Sequence, residues 1–452
     1  MIKYSLEMLL ILSCAAGIVL CIRVIRRSQL KSLLAWHSLC FLAVTTPAVI
    51  IISYTELPIG LMVRKSEEIT LKFVLASILI NFIILMYVSV EKKLYSKMGS
   101  DRQWERAKLV FFESFKVKHL ILFILIVVGI CGFFSFEATQ YVLRNIGGMF
   151  LERDYANYYA FRTEQLYMEK SNLEIYFEII ALVITLPLFN LYALFNWESG
   201  RDRVWFIFWL MSLVIWVLYG ILTSQKGPLF TIAISNIVIK LFVRKRKGQS
   251  HFSPMGRSKF LAYALSVILV IYAVYYYFGY EGNVISELFD RVFVVTGYGT
   301  YVNYLIFPDI HPYLHYYGST TMNLLLGFGQ GTSFSTRYTS PAFIVSLLSG
   351  GSVYSMNSSI LGDGWANYGF LGVFQCGVVL FGLLLFWDVY LRKRKSNLPL
   401  IPLVAFFLGR SYQISNGDLM FMMTKGGLVL APLIYIYLAR GGIYYFYWKS
   451  KD

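Results

Sequence analysis

Residues 362–387 read GDGWANYGFLGVFQCGVVLFGLLLFW, and this stretch decides the fold. No charged side chain occurs from Trp365 to Trp387, a run of about 20 residues, which is the length a helix needs to cross the hydrocarbon core of a bilayer. Lipid offers the backbone no hydrogen-bond partners, so such a run must be helical. Similar runs recur at Tyr4–Ile22, Ser32–Tyr54, Thr70–Val90, His119–Phe136, Ile175–Phe195, Val204–Leu222, Leu229–Phe242, Phe260–Phe278, Leu398–Tyr412 and Leu419–Leu438. The expectation is an all-α, polytopic transmembrane helical bundle of about 11 spans, forming one integral membrane domain over residues 1–452.

Composition agrees. The chain is 57% hydrophobic, 17% aromatic and only 15% charged, against about 25% charged for a soluble domain. All five cysteines, Cys14, Cys21, Cys40, Cys131 and Cys376, fall in apolar spans, and no CxxC spacing exists. Neither a disulfide framework nor a metal site of that kind is expected. The five histidines are scattered, with no HExxH. The formal net charge of +16 has a membrane explanation that makes a nucleic-acid partner unnecessary. Basic clusters at Arg23–Lys31, Lys92–Lys118, Arg201–Arg203, Arg244–Lys259, Arg392–Lys395 and Lys449–Lys451 all fall on one side if the spans alternate from an outside N-terminus. That is the positive-inside pattern, and it places the C-terminus in the cytoplasm. The first span lacks a basic n-region beyond Lys3, so it reads as an anchor and not as a cleaved leader.

Two outer segments are then long, Glu137–Glu174 and the large extracytoplasmic loop Glu281–Leu361 between spans eight and nine. Loops longer than about 15 residues in a compact fold are usually functional or disordered. Their aromatic content and low charge argue against disorder. Met322–Phe328 and Pro341–Leu348 read as short amphipathic helices at the outer surface. No solenoid period and no inverted repeat of the transporter kind is visible.

Few cations are placed on the outer face. They include Arg144, Arg153, Arg162, Arg291 and Arg337, with Lys226 at the hairpin Thr223–Pro228 and Arg410 and Lys425 near the outer ends of spans ten and eleven. Charge near or within a span is costly, which points to an anionic ligand, with local pairing and snorkelling as the alternative. Arginine forks match diphosphate oxygens bidentately, and lysine serves as a point charge. Arg153–Arg162, which contains Tyr158, interleaves cations with rings, and Phe307–Tyr317 sets rings among Asp309, His311 and His315. Rings with polar tips suit sugar faces, but they also populate interfacial belts. Outward acid–base candidates are Asp154, Asp290, Asp309, Asp363, His311 and His315. Asp363 lies between Gly362 and Gly364. It reads either as a general base or as the N-cap of span nine. No outer Asp-x-Asp is present to hold a divalent metal on a diphosphate, so cationic side chains are expected to do that work.

Taken together, Ser224-Gln225-Lys226-Gly227-Pro228, the Asp290-Arg291 region, the long loop and Gly362-Asp363 through Asn367-Tyr368-Gly369 to Gly372 resemble the bacterial Wzy-type polymerases of O-antigen or oligosaccharide repeat units. The resemblance implies a GT-C-like bundle in the bacterial plasma (inner) membrane. It implies a metal-independent lipid-linked glycosyltransferase without cofactor. Its donor and acceptor are undecaprenyl-diphosphate-linked oligosaccharides, membrane lipid surrounds it, and a chain-length regulator protein is a partner. Its outer-loop arginines hold the diphosphate, a role that falls to Arg291 first, to Arg153 second and to Lys226 as the hairpin cation; joined to the acid–base reading above, Arg291, Asp363 and His311 are the expected catalytic residues. Lys226, Arg153, Arg162, Arg410, Arg337, Tyr158 and Asn367 hold the diphosphate and glycan. Glu164 stands where the spaced Arg…Gly motif of some members has Gly. The His-Asn pair that precedes Gly-x-x-Gly in O-antigen ligases is missing before Gly369–Gly372, which favours polymerase over ligase. A lipid-linked oligosaccharide flippase, the transporter alternative, calls for mid-span ionisable residues and short loops.

Overall fold

The computed structural model describes residues 2–28, 32–54, 66–97, 109–112, 115–137, 139–144, 172–200, 202–223, 226–246, 286, 289–310, 312–315, 359–393, 400–416, 419–423, 426–439 and 443–446. Among these, seven helices are long and apolar enough to cross a membrane. They are α1 (Ile2–Arg27), α2 (Leu33–Tyr54), α3 (Glu67–Lys97), α4 (Val117–Ser135), α5 (172–200, with a π-helical stretch Glu178–Thr185), α6 (Arg203–Leu222) and, further on, α9 (Ile360–Lys393). Three expected spans appear as shorter apolar helices within α7 (Lys226–Arg246), α10 (Ile401–Asn416) and α12 (Leu430–Ala439). The eighth expected span, Phe260–Phe278, lies outside the described residues. The remaining elements are α8 (290–306, opening with the π-helical turn Asp290–Val294) and α11 (Leu419–Met423). The all-α expectation holds except for one antiparallel pair, β1 (Leu109–Phe112) with β2 (Ile443–Phe446).

The chain divides into two compact units, where the sequence reads as one domain. The first comprises Met1–Ser100, Ile285–Arg394 and Arg410–Leu428. Its α1, α2, α3, α8 and α9 pack on one another. The alternation of spans is visible inside it. Thr70 near the start of α3 bonds Tyr301 of α8 at 3.0 Å, and Tyr304 of α8 stacks on Trp365 near the start of α9 at 4.4 Å. At the other end the start of α2 meets the ends of α3 and α9, through Ser32, Glu91 and Asp388.

Helix α8 departs from the sequence reading. It lies inside the segment read as a polar outer loop, yet its second half is buried: Tyr298, Tyr301, Val302, Tyr304, Leu305 and Ile306 are each at most 9% exposed. Residues 298, 301, 302 and 305 recur at helical spacing and form an apolar stripe in which tyrosines stand for aliphatics. Gly297 lets this helix close on α2. A Cβ there would meet the Ala48 carbonyl oxygen at 2.9 Å.

The second unit is built around α5, whose residues Leu186–Asn196 are all buried. Helices α4, α6, α7 and α12 pack against it or against its π-helical stretch. Asp202 caps α6, accepting from the Val204 amide at 2.9 Å. Phe115, His119, Tyr192, Trp205 and Phe208 form its aromatic cluster.

Candidate functional site

The motif Gly362–Gly372 folds as helix, break, helix. Ser359 starts α9 as its cap: its Oγ accepts from Leu361 N at 3.3 Å, and its carbonyl accepts from Gly362 N and Asp363 N. The helix runs to Asn367 and breaks at Tyr368 (φ −150°, ψ 23°) and Gly369 (φ 60°, ψ −137°), then resumes to Lys393. The pair of angles at Gly369 is open only to glycine. The break folds the first helical segment back along the second. Gly364 and Gly372 then meet backbone to backbone: a Cβ on Gly372 would lie 2.0 Å from the Gly364 oxygen. These glycines are therefore a packing surface.

Asp363 is not the cap of span nine, because Ser359 takes that place. The residue is 6% exposed, and its carboxylate is used across elements. Oδ1 accepts from Asn367 Nδ2 at 3.1 Å, and Oδ2 accepts from the Leu419 amide, the first residue of α11, at 3.1 Å. Cys376 Sγ lies 3.9 Å from the same oxygen. Asn367 Nδ2 also donates to the Asp363 carbonyl at 2.8 Å. The structure thus brings together two of the residues singled out in the sequence and ties them to α11.

A break in a helix frees carbonyls that need donors. A strap, residues 312–315, supplies them. Leu314 N donates to Ala366 O at 3.0 Å, and His315 N to Asn367 O at 3.4 Å. To make this fit, His315 takes the left-handed region, φ 51°, which is uncommon outside glycine although histidine is among the residues that tolerate it. Its exposed ring lies against Tyr368, with centroids 4.7 Å apart. Tyr313 is half-buried, with its hydroxyl 2.8 Å from where a Cβ on Gly369 would be. Burial pushes the Tyr313 phenol above its ordinary pKa; the nearby Lys72 ammonium opposes this, and Asp309 adds to it.

Lys72 was not among the residues the sequence singled out. It sits in the second turn of α3, bonded to the exposed Glu68 at 2.7 Å. Its position inside an apolar run hid it, although a cation at a span end is a signal in itself. This end of the first unit therefore gathers Lys72, Asp309, Tyr313, His315 and Tyr368 around the strap that binds the carbonyls next to the buried Asp363–Asn367 pair. A cation, phenols and an imidazole gathered at one end of a unit can bind an anion and sugar hydroxyls and can move a proton.

The other expected residues are placed as follows. Arg291 is in the first turn of α8, the part that packs against α2. Arg410 is on α10 and is buried. Lys226 opens α7 in the second unit. His311, Arg153, Arg162, Arg337, Tyr158, Asp154 and Lys425 lie outside the described residues, as do Met322–Phe328 and Pro341–Leu348. Comparison of the chain with protein-family models, curated proteins and solved structures finds no match.

Proposed function

We propose that this membrane-embedded chain polymerises oligosaccharide repeat units carried on undecaprenyl diphosphate, at the outer face of a bacterial plasma membrane. The observation that carries the reading is one end of the first unit, where residues of the Gly362–Gly372 motif fix the Asp363–Asn367 pair and the strap that carries Tyr313 and His315 bonds the same turn, with Lys72 near Tyr313. In this reading Lys72 and Arg291 neutralise the diphosphate as it leaves. Tyr313, His315 and Tyr368 offer rings and polar tips to the sugar. Asp363 positions this turn, and it or a neighbouring imidazole takes the proton from the attacking hydroxyl. Lys226, Arg153, Arg162, Arg337, Arg410, Tyr158 and His311 keep the glycan and diphosphate roles that the sequence suggests, as further positions for mutation.

The proposal requires the loop side to face away from the cytoplasm. Cysteine placed at Ser224 and at Ser319 should react with a membrane-impermeant thiol reagent in intact spheroplasts. Labelling that appears only after lysis would reverse the orientation and remove the function with it.

The activity itself is tested by deleting the gene in its own bacterium and displaying the surface glycans on a gel. The expected pattern is core lipid bearing a single repeat unit. Wild-type protein should restore long polymer, and Arg291→Ala at equal abundance should not. Arg291→Lys should restore it in part, since it keeps the charge but loses the fork. Long polymer in the deletion strain would end the proposal. Long polymer found only on its lipid carrier, unattached to core lipid, would point to a ligase.

A further inference from the structure

The seam between α1 and α2 has no part in the proposed chemistry. Gly17 brings the two helices together: a Cβ there would lie 2.7 Å from Leu42 Cδ1. Cys14 Sγ donates to Leu42 O at 3.6 Å. Beside this contact the helices leave a groove of about 360 Å³. Its middle is lined by side chains too small to fill it, Cys14, Ala15, Thr46 and Pro47. Isoleucines bound it along the helices, Ile11, Ile50 and Ile51 toward one end and Ile18 toward the other. A second feature stands over the first of these ends. Glu7, 6% exposed, is one turn from Ile11, and Tyr54 is one turn from Ile50 and Ile51. The Tyr54 hydroxyl donates to Glu7 Oε2. The Lys3 ammonium, one turn before Glu7, lies 4.0 Å from Glu7 Oε1 and 4.7 Å from the centre of the Tyr54 ring. Tyr54 itself is 58% exposed. A cation on two supports thus marks the polar end of an apolar groove.

Both helices are long and apolar enough to cross a bilayer. The groove then lies at the depth of lipid chains, and Lys3, in the first turn of α1, at the depth of lipid phosphates. Lipid tails elsewhere are as apolar as the groove, so no hydrophobic force selects an occupant. Selection comes from close packing along the chain and from the headgroup. We propose that this seam binds one glycerophospholipid, with an acyl chain in the groove and the phosphate on the Lys3 ammonium. An ammonium–phosphate contact is a charge-assisted hydrogen bond, roughly twice as strong as a neutral one. Glu7 and Tyr54 are positioning residues. The carboxylate and the ring face keep the long lysine side chain beside the groove, which lowers the rotamer entropy lost when the phosphate arrives. The start of α2 meets the ends of α3 and α9 through Ser32, so Tyr54, at its other end, is on the side where α3 and α9 begin. The lipid therefore occupies the leaflet on the side of the Gly362–Gly372 motif. The inference is independent of the reaction proposed above.

The full chain in nanodiscs, with a phosphatidylglycerol that bears a photoreactive diazirine in one acyl chain, tests it. Crosslinks should concentrate on residues 11–18 and 46–51, above the level on the exposed α6 positions Ile207, Leu210, Met211 and Val214. Ala15→Phe, at an exposed position, should remove that excess by filling the groove. Lys3→Gln should weaken binding about tenfold or more, the scale of a hydrogen bond to a charged group. Lys3→Arg should keep it, and Ile207→Phe is the control that should change nothing. Unlabelled phosphatidylglycerol should compete. Dioleoylglycerol, which has chains and no phosphate, and inorganic phosphate, which has no chain, should not. The proposal fails if labelling of α1 and α2 is no greater than that of α6, or if Ala15→Phe or Lys3→Gln binds as the wild type does. It fails equally if Lys3→Arg binds as poorly as Lys3→Gln, or if dioleoylglycerol or inorganic phosphate competes as well as phosphatidylglycerol. Undecaprenyl phosphate that displaces the probe at a lower concentration than phosphatidylglycerol would also overturn it, and would give the groove to a carrier lipid.

Discussion

Replacing Gly372 by alanine is expected to cost about 3 kcal/mol or more of stability, at or beyond the upper end of the range for an overpacked interior. The new methyl group would stand 2.0 Å from the Gly364 oxygen and 3.2 Å from the Tyr368 Cβ. Neither neighbour is a flexible side-chain tip that can turn away. The two segments of α9 would have to part, and the strap bonds from Leu314 and His315 would part with them. Gly364→Ala should act alike, because its Cβ meets Gly372 and Val373 backbone atoms at 2.6–2.7 Å. The control is Gly132→Ala in α4, where a Cβ meets nothing within 4 Å. There alanine should be neutral or gain up to about 1 kcal/mol from helix propensity. Thermal unfolding in detergent separates the three variants. A Gly372→Ala protein that melts with the wild type would show that the helix break does not hold as described.

Asp363 is the second position where a large effect is expected. Alanine would leave the Leu419 amide without this acceptor and would take one of the two acceptors of Asn367 Nδ2, whose bond to the main-chain carbonyl of residue 363 survives; a buried group left unsatisfied costs roughly 1–3 kcal/mol. Asparagine is no neutral substitute here. Both carboxylate oxygens accept from N–H groups, so whichever way an amide is turned, one NH2 faces a donor. Asp363→Asn is therefore expected to lose stability too, by about half as much. If the carboxylate also takes the proton from the attacking sugar, the rate should fall by roughly 100-fold when measured per folded molecule, the scale of general-base catalysis. A stable, inactive Asp363→Asn would separate chemistry from clamping. An Asp363→Asn protein as stable and as active as the wild type would remove both roles.

The parts of this molecule that were legible in the sequence share one property, a long unbroken signal. Helices α1 to α6 and α9 each carry about 20 apolar residues, and the physics of the bilayer permits only a helix there. Helix α8 was not legible, because 290–306 is short and rich in Tyr and Gly, and it reads as polar until the spacing of Tyr298, Tyr301, Val302 and Leu305 is taken into account. At the site, Gly362–Gly372 could be picked out by composition. The break at Tyr368–Gly369 could not, since it depends on a strap some 50 residues earlier satisfying carbonyls that a sequence does not display. Asp363 was noticed for the right neighbours and given the wrong helix to cap. Lys72, Glu91 and Asp388 were passed over as ordinary charges at the ends of spans. The acidic pair did carry a signal, because both residues stand beside clusters of lysine and arginine on the side where basic residues gather.

The bonds that tie the start of α2 to Asp388 and Glu91 also bear on how the chain is made. Leu34 and its acceptor Asp388 are 354 residues apart. At a synthesis rate of about 5–20 residues per second, Asp388 leaves the ribosome roughly 20–70 s after α2 does. Through that interval α1 to α3 are already available for insertion, while the whole of Asp101–Val284 is still being produced. The newborn helices must keep the open amides of α2 and the carboxyl of Glu91 from settling on other partners. A nonsense or frameshift lesion anywhere before residue 388 yields a chain in which that wait never ends. Such a fragment presents polar groups within lipid, the kind of surface that membrane quality-control proteases and insertion chaperones are suited to detect. The abundance of this protein should therefore depend on the speed and completeness of its translation as much as on the stability of its finished form.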